Sequence, residues 1–263
     1  MIEIRPLTAN YLQHPRRVMK YVLIWCAEGS LTLAVDENTF ELQENQVITI
    51  TSGQYHYIKD SAGAKGHILE FTYDFFCNND NDIELIFHNG LFCHFAMNEV
   101  ISIDYASLIR AELGLIEKEI TEKPYQYLLT IHSRIELILV EINRAKISHG
   151  DEIWKPDALF LKFLETIRGN FSKNLSVGQI ASLLHTTESK LNELSKLHTG
   201  KTAQNVIYGL IISEAKRLFT YEKMAVKEVA YNLGFNDPFY FSNFFKKFIK
   251  ISPKSYKESM LSK

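Results

Sequence analysis

The feature that most constrains this fold is a short helix–turn–helix pattern that occurs twice, near residues 176–197 and again near residues 225–248. In the second copy, small and apolar residues repeat at helical spacing up to Gly234, which can take the left-handed conformation that ends a helix. Asp237 then offers a capping oxygen and Pro238 suits the first helical position, so that a new helix begins almost at once. The repeat predicts a compact helical domain in the C-terminal part of the chain.

The second helix of that copy, predicted over Pro238–Phe248, has two faces of different chemistry. Its inward face is predicted to be the aromatic stripe Phe241, Phe244, Phe245 and Phe248. Its outer face carries the candidate DNA-binding residues Phe239, Tyr240, Asn243, Lys246 and Lys247. On a helix that lies in a DNA major groove, such outer side chains meet base edges and phosphates. Among them, Asn243 is the best candidate for an adenine contact, because its amide can pair with two atoms of that base.

The first copy has the same layout with a less aromatic second helix, predicted over Thr187–Leu197. Ser176 and Gln179 form a candidate capping box, and Leu191 and Leu194 are predicted to face inward. The candidate DNA-binding residues of this copy are Thr187, Ser189, Lys190, Asn192 and Glu193. Because phosphates repel a carboxylate, Glu193 can contribute only by accepting from a cytosine amino group.

The charge of the chain is divided unevenly between its two halves. Residues 1–154 hold 12 Lys and Arg against 22 Asp and Glu, a net charge of −10, whereas residues 155–263 hold 17 against 9, a net charge of +8. This division predicts a polyanion-binding domain joined to a domain that does not bind a polyanion.

The N-terminal half predicts a β-rich domain followed by helices. From Tyr21 to Tyr73 apolar residues alternate with a period near two and turn residues interrupt them, which indicates a small barrel or sandwich of antiparallel strands. From Asp104 the period becomes helical, and Pro124 is predicted to open the second of two amphipathic helices. The predicted segments are a sensor domain over 1–103, a helical pair and candidate dimerisation element over 104–147, a linker over 148–156 and a DNA-binding domain over 157–263.

The cysteines and the N-terminus bear on the cellular compartment. Cys26, Cys77 and Cys93 are odd in number and widely spaced, which indicates neither a disulfide framework nor a zinc site. The N-terminus lacks the layout of a signal peptide, and no apolar run approaches a membrane span. We therefore expect a cytoplasmic protein with no membrane association, no metal and no cofactor.

The C-terminal part of the chain resembles the AraC/XylS family of transcription regulators. The elements that carry the resemblance are Val229-Ala230, Gly234-Phe235, Asp237, Tyr240-Phe241-Ser242, Phe245-Lys246-Lys247 and Ser252-Pro253. Four positions depart from the family pattern. Glu193, Asn243 and Ile211 stand where the family often has arginine, and Lys250 stands where it often has glycine. The resemblance implies a non-enzymatic, sequence-specific regulator whose partners are double-stranded DNA, RNA polymerase and a second copy of the chain.

The segment from Gly29 to His56 resembles the cupin-like sensor of AraC-type regulators, with Ser52-Gly53 in place of the usual Pro-Gly. Such sensors bind small effectors inside the barrel. The candidate effector-binding residues are Trp25, Tyr55, His56, Tyr57, Phe71 and Tyr73. Two other interpretations stay open: these residues could be plain barrel core, or the domain could be a metal-dependent cupin enzyme. The second requires a His-x-His pair with a following Glu and a later His, and only His56 is placed for it.

The sequence therefore predicts an α+β protein. Its N-terminal domain is a cupin-like β-barrel with two following helices, and its C-terminal domain is all-α with two helix-turn-helix units. We expect the two recognition helices to enter successive major-groove segments, about 34 Å apart on one face of the duplex. The alternative is a helical interaction protein or antagonist that keeps the fold without specific DNA binding.

Overall fold

The computed structural model describes residues 1–7, 14–92, 98–150 and 153–261, and the chain divides into two compact units, Met1–Pro156 and Asp157–Lys263. The first unit is an antiparallel sheet with helices after it, and the second is entirely helical. This confirms the predicted α+β architecture. Part of the predicted linker and Cys93 lie outside the described residues.

The first unit contains one sheet of seven strands. The strands are β1 (Ile2–Leu7), β2 (Arg16–Arg17), β3 (Tyr21–Val35), β4 (Asn38–Leu42), β5 (Gln46–Ile50), β6 (Tyr55–Phe71) and β7 (Val100–Ser102). Their hydrogen-bonded order is β1-β6-β3-β5-β7, with β2 added to β6 and β4 added to β3, and every pair is antiparallel.

The sheet curves around an apolar core. Register shifts interrupt the pairing of β3 with β6 between Cys26 and Leu31, and such irregularities bend and twist a strand. Val22 before the shifts and Val35 after them belong to the same buried cluster, so the two ends of β3 face each other across it. Cys26 also lies in this cluster, and Cys77 is half-buried. Neither forms a disulfide within the described residues.

Helices cover the opposite face of the sheet. They are α1 (Tyr73–Phe76), α2 (Asp80–Phe87), α3 (Ala106–Glu122) and α4 (Tyr127–Ser148), and a 3-10 turn spans His88–Gly90. The prediction that Pro124 opens α4 is wrong. Lys123 ends α3 in the left-handed conformation and Gln126 precedes α4 in the same conformation, so Pro124 lies in the turn between the two helices.

The second unit consists of seven helices and one 3-10 turn among its described residues. They are α5 (Ala158–Arg168), the turn Phe171–Lys173, α6 (Val177–Leu183), α7 (Glu188–Thr199), α8 (Ala203–Thr220), α9 (Val226–Asn232), α10 (Pro238–Ile249) and α11 (Pro253–Leu261). The predicted capping box of Ser176 with Gln179 is present, and Thr187 and Asp237 cap α7 and α10 as expected. No helix within these described ranges is long and apolar enough to cross a membrane.

Gly234, between α9 and α10, is required by both its conformation and its surroundings. Its φ is +72°, and a Cβ at this position would lie 2.5 Å from the Ser172 carbonyl oxygen. Gly200 has a similar φ of +68°, but a Cβ there would meet nothing within 4 Å. Alanine at Gly200 would therefore suffer only the strain of the left-handed conformation, whereas alanine at Gly234 would also clash with its neighbours.

We expect Gly234→Ala to lower the free energy of unfolding of the second unit by about 2–3 kcal/mol, because strain and a clash add together. Gly200→Ala should cost about 1 kcal/mol, because it carries the left-handed strain alone. Urea unfolding followed by far-UV circular dichroism measures both. Equal losses for the two variants would show that the contact with Ser172 is unimportant.

Candidate nucleic-acid interface

The helix α10 starts sharply because its first turn is capped from outside. The Asp237 carboxylate accepts a hydrogen bond from the Phe239 backbone N–H at 2.8 Å, and Pro238 occupies the first helical position, where no N–H is needed. Lys250 ends the helix in the left-handed conformation. Both ends of α10 are thus fixed, and its outer side chains project from a rigid helix.

The inner face of α10 is aromatic, as predicted. Phe241 and Phe245 are fully buried, and both lie against the ring of Phe219 from α8. Phe244 and Phe248 are half-buried against Tyr208, with ring centroids 5.1 and 5.4 Å away. This packing fixes which side chains of the helix point outward.

The outer face of α10 carries all five candidate residues predicted for it. Phe239 and Tyr240 are 73% and 69% exposed, and Asn243, Lys246 and Lys247 are exposed as well. Within the described residues, the side chains of Asn243, Lys246 and Lys247 make no hydrogen bond or ion pair. They are therefore available to a ligand, and no carboxylate of this helix neutralises the two ammonium groups.

In α7, the corresponding helix of the first copy, most of the candidate side chains have partners within the chain. The Lys190 ammonium lies 3.0 Å from the Glu193 carboxylate, so that the acidic residue is neutralised by its own helix. The Asn192 amide donates to the Glu188 carbonyl oxygen and accepts from the Ala203 backbone N–H, each at 3.0 Å. Asn192 therefore joins α7 to the start of α8, which leaves Ser189 as an exposed polar side chain at the N-terminal end.

The pairing of Lys190 with Glu193 is readable from the sequence, because residues three apart on a helix are neighbours. The role of Asn192 is not readable in this way. Its partner Ala203 lies beyond the end of α7, and the hydrogen bond depends on how α8 packs across it.

A family model for a helix-turn-helix domain of the AraC type matches residues 180–259. The match contains α7, α10 and the helices between them. Over these residues, the chain is similar to the helix-turn-helix domains of the AraC/XylS family. The predicted resemblance is confirmed.

Three proteins that are similar to this chain are regulators by name. The xylose operon regulatory protein of Haemophilus influenzae is 27% identical over 60% of this chain and 44% of its own length. An uncharacterized HTH-type regulator of Pseudoalteromonas carrageenovora is 25% identical over 59% of this chain and 90% of its own length. The transcriptional activator RhaS of Enterobacter sp. is 26% identical over 46% and 43%. The chain thus spans less than half the length of the first and third of these relatives.

Among solved structures, ToxT from Vibrio cholerae is similar to this chain, and the match covers 98% of this chain and 97% of the ToxT chain. The identity is 14% and the TM-score is 0.44.

The six candidate effector-binding residues of the first unit do not come together at one place. Trp25 and Phe71 are fully buried on the helix-covered face of the sheet, opposite the apolar cluster that holds Ile24 and Cys26. Phe71 packs against Phe76 and Phe92, which together fill the space under the helices. The expectation that these two aromatics face the barrel interior is wrong, because the alternation of β3 turns Trp25 away from it.

His56 is the candidate that does face the sheet interior. It pairs with Val35 of the buried cluster, its side chain is 1% exposed, and its Nε2 has no hydrogen-bond partner in the described part of the chain. Burial lowers the pKa of His56 to about 4. Tyr55 and Tyr57 flank it in sequence with their side chains on the other face, Tyr55 lying under the Arg17 guanidinium at 5.6 Å.

A buried ion pair lies near His56 and could not be predicted from the sequence. The Glu70 carboxylate is almost fully buried and accepts from the Arg16 guanidinium at 2.6 Å, with the Lys20 ammonium 3.7 Å away. Arg16 pairs with His56 across β2 and β6, and Glu70 pairs with Val22. The register of the sheet brings these residues together, and no local sequence pattern indicates that register. The remaining candidate, Tyr73, is half-buried in α1.

One group of side chains in the described residues has the composition of a metal site, namely Asp82, His132 and Glu136. Its geometry has another explanation. The Asp82 carboxylate accepts from the Asn78 backbone N–H at 2.8 Å near the start of α2, and His132 Nε2 lies 2.8 Å from the Phe76 carbonyl oxygen. His132 must donate at that contact, so Nε2 has no lone pair for a metal.

Proposed function

We propose that this protein is a DNA-binding transcription regulator that reads sequence chiefly through α10. The observation that carries this proposal is the outer face of α10, where Asn243, Lys246 and Lys247 are exposed and without a partner among the described residues. The net charge of +8 over residues 155–263 supports it, as do the regulatory names of the relatives. Cationic and amide groups on a helix of this kind suit phosphates and base edges respectively.

The first recognition helix contributes less to binding in this proposal. Lys190 already neutralises Glu193, and Asn192 is committed to the start of α8. Thr187 is committed to its capping bond with the Lys190 backbone N–H. We assign α7 to positioning on the phosphate backbone through Ser189, and α10 to the reading of bases.

The test is the salt dependence of duplex binding by the purified chain. Each phosphate contact contributes a slope of about −0.9 to the plot of log affinity against log salt. The double variant Lys246→Gln/Lys247→Gln should therefore reduce the slope by about two and weaken binding to every sequence. Lys254→Gln on α11, whose side chain is 84% exposed, is the matched control and should leave the slope unchanged. Unaltered binding by the double variant would refute the proposed surface.

We propose that the first unit regulates this activity and does not catalyse a reaction. The surroundings of His56 support this role, since the groups that face it are Arg16, Glu70 and Asp36 and none of these is a second histidine. On the helix-covered side of the sheet, an open groove of about 280 Å³ is the candidate place for an effector. Its lining residues are Met1, Asp74, Phe75, Asn78, Leu128, Leu129 and His132. We propose double-stranded DNA and RNA polymerase as the partners of this activity, and the cytoplasm as its compartment.

We also propose that the chain self-associates through α3 and α4. Each helix buries one apolar stripe within the unit and exposes a second one. Leu108 and Leu115 of α3 are 37% and 38% exposed, and Leu129 and Leu137 of α4 are 61% and 53% exposed. Leu108 and Leu115 are seven residues apart and therefore share one face of α3, which is the spacing found in helices that pair. The exposed leucines of α4 lie on the helix packed against α3 and extend the apolar surface.

Replacing Leu108 and Leu137 together with aspartate should convert a dimer into a monomer, because two charges would enter the apolar seam. Sedimentation velocity on the full chain at micromolar concentration measures the change. Tyr125→Asp is the control, because Tyr125 is 91% exposed in the turn between α3 and α4. A wild-type chain that sediments as a monomer would refute the proposed dimer.

A further inference from the structure

Two adjacent aromatic side chains on α10 are not used by the core. Phe239 and Tyr240 are 73% and 69% exposed in the first turn of the helix, immediately after the cap Asp237. The other four phenylalanines of the helix are buried or half-buried against neighbouring rings. Phe239 has no ring partner in the described residues, whereas Tyr240 touches the edge of the core at Phe235, with ring centroids 6.2 Å apart.

The outer face of α10 therefore changes chemistry along its length. Its N-terminal turn is aromatic through Phe239 and Tyr240, its middle offers the Asn243 amide, and its last turn carries Lys246 and Lys247. In helix-turn-helix domains, the N-terminal residues of the recognition helix contact base edges. The aromatic turn is then the part of α10 that lies deepest in the major groove, and the lysines lie nearer the backbone.

The major groove offers one apolar group on a base edge, the C5-methyl of thymine. An exposed phenyl ring has no hydrogen bond to give, so it can discriminate among bases only by burying such a methyl group. Cytosine presents an amino group at the neighbouring position and carries no methyl group. Phe239 thus suits thymine and leaves a polar edge unsatisfied at the other bases.

We propose that Phe239, assisted by Tyr240, is a specificity-determining residue that selects thymine in the DNA site, next to the base contacted by Asn243. This inference rests on the proposed function and deepens it, since it names the chemical group that the helix recognises. Burial of one methyl group changes affinity by about fourfold. The effect is small for each contact and is specific to the methyl group.

The experiment replaces each thymine of a duplex selected by the full chain with uracil, one position at a time. Uracil lacks only the C5-methyl group and keeps every hydrogen-bonding atom. We expect about a fourfold loss of wild-type affinity at one or two adjacent positions. Phe239→Ala should lower affinity for the thymine duplex by a similar factor and bind the thymine and uracil duplexes equally. Phe239→Leu should keep the discrimination, because leucine also buries a methyl group.

Two results would overturn the inference in distinguishable ways. If the wild-type chain binds its selected duplex and no uracil substitution weakens it, or if Phe239→Ala keeps the thymine preference, the inference fails while the proposed function stands. If the chain binds no duplex at all, both fail together. Because Phe239 is largely exposed, the alanine variant should keep the circular dichroism spectrum of the wild type.

Discussion

Replacing Asn243 with alanine is expected to lower affinity for the preferred duplex by about 10- to 100-fold, the cost of a lost bidentate base contact. Affinity for a scrambled duplex should not change, because the amide carries no charge and contributes little to phosphate binding. Asn243 is exposed and makes no hydrogen bond within the described residues, so the substitution should not disturb the fold. A matched titration of the two duplexes at one salt concentration measures the effect.

Lys247→Ala is the natural counterpart of this variant. It lies one turn further along the exposed face of α10, and it should weaken both duplexes equally and reduce the salt slope by about one. If Asn243→Ala also weakens both duplexes equally, Asn243 positions the helix on the backbone and does not read a base.

The stability of the first unit is expected to fall as the pH is lowered from 6.5 to 4, and His56 is expected to cause about 3 kcal/mol of that fall. Burial, aided by the positive charge of Arg16, lowers the pKa of His56 from its ordinary value of 6.5 to about 4. Each unit of pKa corresponds to about 1.36 kcal/mol, which sets this upper limit. Below pH 6.5 the unfolded chain binds a proton that the folded chain refuses, so the stability is present above pH 6.5 and lost below it.

Both tryptophans of the chain, Trp25 and Trp154, lie in the first unit, so tryptophan fluorescence follows its unfolding alone. Urea titrations between pH 4 and 7 should give a steep dependence for the wild type and a shallower one for His56→Gln. His14→Gln removes an exposed histidine from the same unit and is the control. Identical pH dependence in all three proteins would mean that the buried imidazole is not held neutral.

The helices of the second unit can be predicted from the sequence because residues close to each helix end determine where it begins and ends. The capping box of Ser176 with Gln179 and the pair Asp237-Pro238 each act within three or four residues. The outer face of α10 follows from the same local information, once the aromatic stripe identifies the inner face.

The arrangement of the first unit depends on contacts between distant residues and could not be predicted in the same way. Glu70 and Arg16 are 54 residues apart in the sequence. They meet only because β2, which carries Arg16, pairs with β6, which carries Glu70. Which face of β3 the helices cover, and hence where Trp25 points, is likewise decided by packing. Alternation shows that two faces exist and does not say which one encloses the core.

In the function proposed above, the helix-turn-helix domain recognises a particular DNA sequence through α10. The measurement that tests it most directly is selection of bound fragments from random duplex DNA by the full chain, with and without candidate small metabolites, in parallel with Asn243→Ala. We expect the wild type to enrich one motif containing thymine beside adenine, and the variant to relax the preference at a single base position. Enrichment of no motif under any condition, by a chain that is folded, would contradict it and favour a helical interaction protein with the same fold.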